Sequence, residues 1–111
     1  MTDCIVALVT VGSRSEGERI AETLVNEQLA ACVNIVGPIQ STYRWEGRVQ
    51  RDDELLLIVK TRGELFARLA VRVLALHSYQ TPEVIALPIV AGAEPYLAWL
   101  RASTAAEPEP Q

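Results

Sequence analysis

The stretch from Ala31 to Lys60 constrains the fold most, because it reads as two long apolar strands joined at Glu46-Gly47 into one hairpin. Fully extended, Cys32 to Glu46 would reach on the order of 50 Å at roughly 3.3 Å per residue. The helix-like segment before it, Ser15 to Ala30, would reach only about 24 Å at ~1.5 Å per residue. The ribbon is too long for its own domain to cover. A two-stranded ribbon is marginal in water by itself, yet this one carries Tyr43 and Trp45 near its tip and the run Leu55-Leu56-Leu57-Ile58-Val59 on its return. The pattern points to an oligomer before it points to any chemistry.

A chain of 111 residues, 50 % of them hydrophobic, fits one domain around a single core. That domain is expected over residues 1–104. The net charge of −4, with acidic residues spread along the chain, offers no basic stripe to track a phosphate backbone, so nucleic acid is not expected as a partner. No apolar run approaches the ~18–20 residues of a membrane span, and Met1-Thr2-Asp3 leads straight into a strand pattern without a basic start or cleavage site. The expectation is a cytoplasmic protein without a membrane partner. Cys4 and Cys32 have no C-x-x-C spacing and read as small reduced residues rather than as a bridge.

Cys4 to Val9 is a short β-branched run without alternation, which predicts a central strand buried on both faces. Ser15-Glu16-Gly17-Glu18 offers a capping box for a helix to about Ala30, with Ile20, Ala21, Leu24, Val25 and Leu29 as its apolar stripe. The strand from Cys32 is interrupted by Gly37-Pro38, and a proline cannot donate to a ladder, so it belongs at an edge or a bulge. Thr61-Arg62-Gly63-Glu64 is a second capping-box candidate, opening a helix that ends near His77. Residues 78–83 read as a structured loop, because Pro82 pushes Thr81 out of the helical region, and Val84 to Val90 as a fourth strand whose Pro88 again marks an edge. Pro95 suits the first turn of a short last helix. From Ala105 to Gln111 nothing can be buried, and that tail is expected to be disordered.

The order β-α-β-β-α-β plus a C-terminal helix predicts an α+β, ferredoxin-like fold, an antiparallel split β-α-β sheet with helices on one face and a long hairpin between the second and third strands. Its first and third strands are central and its second and fourth are edges, where both prolines fall. The opposite face of Ile5–Val9, Leu55–Val59 and Val84–Val90 would then be apolar and unprotected, a larger patch than soluble monomers tolerate. Another copy must cover it.

Five blocks carry a resemblance: Leu29-Ala30-Ala31-Cys32-Val33-Asn34-Ile35, Tyr43-Arg44-Trp45-Glu46-Gly47, Lys60-Thr61, Tyr79 through Ile89, and Tyr96-Leu97-Ala98-Trp99-Leu100. Together they resemble the CutA divalent-cation tolerance family from Cys4 to about Ala102. The resemblance implies a ferredoxin-like fold, a tight homotrimer and a part in tolerance of divalent metals, with no catalytic activity. Its implied cofactor is at most a divalent ion such as Cu2+ or Zn2+. Some members that resemble this chain carry a cysteine at the end of the first strand and a second histidine before the matching one; here those positions hold Val9 and Leu76.

The metal candidates are His77, the only histidine, with Glu83 and Cys32, since imidazole, carboxylate and thiolate suit borderline divalent ions. A helix C-terminus also favours a histidine with no ligand role. Glu46, Lys60, Tyr79 and Glu83 are candidates for a cleft between subunits, and Tyr43, Trp45 and Trp99 for interface anchors. Two other functions stay open: a trimeric small-ligand signalling module similar to the PII proteins, and a hydrolase of phosphate esters. The second lacks a G-x-S-x-G elbow, a carboxylate dyad and a phosphate loop, with Val11-Gly12-Ser13-Arg14 only a poor anion loop.

Overall fold

The computed structural model describes residues 1–104, so the expectation for the tail from Ala105 lies outside the described residues. Strand β1 (Cys4–Val11) leads to helix α1 (Arg14–Asn26), then to β2 (Cys32–Trp45) and β3 (Arg48–Arg62). A 3-10 turn at Gly63–Leu65 precedes α2 (Phe66–Leu76), followed by β4 (Val84–Pro88) and α3 (Glu94–Ala102). All pairings are antiparallel, in the order β2-β3-β1-β4. The two prolines of the sheet therefore sit on its edge strands, as their missing donors require.

One side of the sheet presents Ala7, Val9, Val11, Leu57 and Val59 to Ile20 and Leu24 of α1 and to Leu69 and Val73 of α2, forming the main core. Gly17 lets α1 lie close to the sheet: a Cβ there would come within 3.2 Å of Val11 and 3.4 Å of Leu57. Helices α1 and α2 share one face of the sheet, as expected, and the trailing α3 lies on the other. Leu97 and Leu100 of α3 pack on Cys4, which pairs with Arg62 on the opposite side of the sheet. Buried Arg62 donates from Nε to the Thr104 hydroxyl (2.7 Å) and from Nη2 to the Thr104 carbonyl (3.0 Å), while its Nη1 pairs with Glu64. The last helix is thereby fastened across one end of the second face.

Neither expected capping box forms where the sequence places it. Because β1 continues to Val11, the helix cap falls on Ser13, whose hydroxyl accepts from the Glu16 amide at 3.2 Å, and Ser15 lies inside α1. Helix α1 stops at Asn26 rather than near Ala30, because Gln28 takes a left-handed conformation (φ 59°) and the amides of Leu29 and Ala30 fold back onto the Leu24 carbonyl. Thr61 caps nothing: it belongs to β3, fully buried, and donates to the Leu29 carbonyl at 2.7 Å. Helix α2 begins without a side-chain cap. Strand β4 ends at Pro88, two residues before the expected Val90, although the Ile89 amide still bonds the Cys4 carbonyl.

The hairpin turns at Glu46-Gly47 with both residues at positive φ, 51° and 80°, between the paired Trp45 and Arg48. That is the geometry whose twist suits a two-residue hairpin. Its outer half is exposed on both strands, and the radius of gyration of 14.7 Å exceeds the roughly 13 Å of a compact chain this long. The ribbon does outreach its own domain.

Glu16 and His77 fix the loop after α2. The Glu16 carboxylate accepts from the Ser78 amide at 2.7 Å, and His77 Nδ1 lies 3.5 Å from it. Burial opposes the Glu16 charge, but hydrogen bonds from the Ser78 amide and hydroxyl and from the Gly12 amide outweigh it and hold the carboxyl below its ordinary range. A carboxyl depressed in the folded state stabilises the fold above its unfolded pKa of 4.5, and that contribution is lost as pH falls through the folded value. Denaturant melts between about pH 5 and pH 3 should show the wild type losing stability faster than Glu16→Gln; parallel losses would remove Glu16 from this role. Thr61→Val strips the Leu29 carbonyl of its buried donor and should cost about 1–3 kcal/mol by the same measurement. A neutral result would mean that water replaces the hydroxyl there.

Candidate functional site

Between Val36 and Ile39 the pairing of β2 with β3 slips by one residue: Val36 faces Leu56, but Ile39 faces Glu54. A one-residue slip exchanges the faces of a strand. Beyond Gly37-Pro38 it is Ser41, Tyr43 and Trp45 that share the second face of the sheet with Asp52 and Glu54. Without the slip these aromatics would point to the other side.

The loop 78–83 closes over this end of the sheet. His77 Nε2 donates to the Thr10 carbonyl (2.7 Å), and its Nδ1 accepts from the Tyr79 amide (3.0 Å). The Tyr79 ring then packs against the His77 ring, with centroids 4.6 Å apart, and its hydroxyl donates to Glu54 at 2.8 Å. Gly12 makes room for it, since a Cβ there would stand 3.0 Å from the Tyr79 oxygen. Tyr43 likewise donates to Asp52. Burial and then the Glu54 hydrogen bond push the Tyr79 phenol well above its ordinary range, and the Asp52 bond raises Tyr43. Both phenols therefore stay protonated and both carboxylates keep a donor.

The result is a cleft of about 580 Å³ between the hairpin stem and the loop, with Tyr43, Trp45, Asp52, Glu54, Tyr79 and Glu83 among its walls. Of the four residues expected at a cleft between subunits, Tyr79 and Glu83 line this cleft within one chain, whereas Glu46 sits in the hairpin turn and Lys60 lies further along β3, donating to Asn34. Tyr43 and Trp45 line it too, each about 40 % exposed; Trp99 stands apart on α3 beside Tyr96. Asp52, Glu54 and Thr10 were not anticipated. Only the Gly-Pro interruption of β2 hinted that the strand changes face there.

His77, Glu83 and Cys32 do not converge. The His77 side chain is fully buried with both ring nitrogens in hydrogen bonds, and Cys32 pairs with Lys60, itself opposite Val6, four residues along β1 from Thr10. Among the described residues, no three histidine, cysteine or acidic side chains come together to hold an ion. No disulfide joins Cys4 and Cys32.

Residues 5–103 match the family model described as CutA1 divalent ion tolerance protein. The chain is 54 % identical over 99 residues to the divalent-cation tolerance protein CutA of Thermus thermophilus, spanning 89 % of this chain and 96 % of that one. It is 55 % identical over 100 residues to the chloroplastic CutA of Arabidopsis thaliana, spanning 90 % of this chain but about half, 55 %, of that relative. The solved structure from T. thermophilus superposes with a TM-score of 0.90 at 52 % identity, covering 92 % of this chain and 99 % of that one. That of CutA1 from Oryza sativa gives 0.91, also at 52 % identity, over 94 % and 95 %. These relatives are named as CutA or divalent-cation tolerance proteins, not as enzymes. With its α+β, ferredoxin-like fold, this chain belongs to the CutA1 divalent ion tolerance family.

Proposed function

We propose that the protein serves divalent-metal tolerance as a homotrimer without catalysing a reaction. The observation that carries the assembly is the middle of the second sheet face. With α3 at one end and the 78–83 loop at the other, Val6, Leu8, Leu56 and Ile58 remain only partly covered, and Ile85 and Leu87 are half exposed. An apolar band of this kind on a small domain marks an interaction surface. The need for a partner comes from the sheet; the number three comes from the family resemblance. Tyr43 and Trp45 lie on the same face, and Trp99 belongs to the helix that covers its end, which supports their reading as interface anchors.

A second reading, a small-ligand module, is favoured by the cleft, whose volume is that of a small-molecule site. Phosphate-ester hydrolysis is disfavoured by the same walls, which bring carboxylates and no lysine, arginine or histidine to where a phosphate would sit. The unbridged cysteines suit a reducing compartment such as the cytoplasm, and among the described residues no helix is long and apolar enough to cross a membrane. Plant relatives are named chloroplastic and one archaeal structure periplasmic, so location varies among the relatives.

Light scattering coupled to gel filtration should give a mass of three chains. Leu87→Asp, on an exposed position of an edge strand, should release folded monomers; a wild-type monomer, or a variant that keeps three chains, would defeat the assembly reading. Direct binding of Cu2+ or Zn2+ should be weak and carried by exposed carboxylates, so His77→Gln should leave a calorimetric titration unchanged. A tight, stoichiometric site abolished by His77→Gln would restore the histidine as a ligand.

A further inference from the structure

His77 is the only histidine of the chain, and its surroundings require the neutral ring. The Thr10 carbonyl can only accept, so Nε2 carries the hydrogen; the Tyr79 amide can only donate, so Nδ1 is bare. That bare nitrogen holds the last lone pair of the ring, and it is spent on Tyr79. A second proton has nowhere else to go. Once it binds, two N–H groups face each other across the 3.0 Å between Nδ1 and the Tyr79 nitrogen, and the bond that positions the loop is lost.

An acceptor for the new hydrogen already stands beside the ring. Glu16 Oε2 lies 3.5 Å from Nδ1, and both side chains are buried, His77 fully and Glu16 at 8 % exposure. Among the described residues, Glu16 is the one carboxylate within ion-pair distance of the ring, and the ring is the one basic group within that distance of Glu16. Its hydrogen bonds keep Glu16 ionised through the range in which histidines change charge. The carboxylate can hold the Ser78 amide, at 2.7 Å, and still take the imidazolium, because it has lone pairs for both. The other charged or titratable groups near the ring are Arg19 of α1, which donates to the Leu76 carbonyl, and Tyr79 with Glu54 of β3 behind it; β1 supplies the Thr10 carbonyl.

We propose that His77 is a pH-operated latch on the 78–83 loop: a proton taken up at Nδ1 makes the ring exchange the Tyr79 amide for the Glu16 carboxylate and lets Tyr79 leave Glu54. Ser78 stays on Glu16, so the freed part begins at Tyr79. Tyr79 then keeps only its hydroxyl bond to Glu54, from a side chain that its backbone no longer positions. The device lies within one chain, and its two charged groups are buried whatever covers the second sheet face.

The test is an NMR titration of the full chain, in whatever assembly it forms, from about pH 8 to about pH 5, where imidazoles change charge. With a single histidine, the imidazole nitrogen signals have one origin. At the alkaline end they should show hydrogen on Nε2 and none on Nδ1. As the ring protonates, the hydrogen-exchange protection of the Tyr79 amide should fall about tenfold with the same midpoint, the effect of losing one net hydrogen bond. Protection of Ala7, paired on both sides in β1, should stay constant. Glu16→Gln removes the charge that receives the imidazolium and should lower the midpoint by about one unit. Tyr79 protection that ignores the titration would make the histidine a fixed strut and overturn the latch, as would a ring that stays neutral until acid unfolds the protein. A midpoint indifferent to Glu16→Gln would overturn the exchange of partners. Because Glu16 is buried and its variant can fail to fold, the wild-type titration decides without it.

Discussion

The slip of one residue between Val36 and Ile39 decides which side chains can meet. Strand side chains alternate strictly, so a single extra residue in β2 transfers every later position to the other side of the sheet. Before the slip, β2 places Val33 and Ile35 against the main core; after it, Ser41, Tyr43 and Trp45 join Asp52 and Glu54 on the far side. Core and cleft are thus drawn from one strand with opposite parities. Gly37 and Pro38 occupy the slip, on an edge strand where the ladder can tolerate a missing donor.

That division gives the second face three zones with different chemistry. At the Cys4–Arg62 end, α3 buries Leu97 and Leu100 and is tied down by the bonds from Arg62 to Thr104. At the Thr10–Glu54 end, the 78–83 loop and the hairpin stem enclose polar and aromatic groups. Between them lies an apolar band that one chain leaves partly open. A single chain exposes this band beside a long solvated ribbon, and these are the two features on which the proposed assembly rests.

Strand order and edges were legible because they depend on local chemistry: β-branched runs, Glu46-Gly47 at the turn, and prolines that exclude Val84–Pro88 and the middle of β2 from central positions. The helix starts were less so. Two Ser/Thr-x-x-Glu patterns are indistinguishable in isolation from real caps, yet Ser15 is two residues inside its helix and Thr61 is pulled inward by a bond to Leu29, thirty-two positions away. Tertiary contacts overrode a local signal. Tyr79 and Glu83 stood out in the sequence only as candidates for a cleft between subunits, while Glu54 and Asp52 read as the polar lead into an apolar strand. Their partnership with Tyr79 and Tyr43 requires both the register slip and the closure of a distant loop.

The loop closes through His77, which gives this histidine a structural role of its own. Its ring is clamped between the Thr10 carbonyl on one nitrogen and the Tyr79 amide on the other, so the start of the loop has the position of β1 imposed on it. Glu16 repeats the restraint from the first turn of α1 by holding the Ser78 amide. Two ties from adjacent elements leave Tyr79 little freedom, and its hydroxyl arrives at Glu54 as a consequence. The hydrogen bonds that occupy both His77 ring nitrogens are also what builds the wall of the cleft.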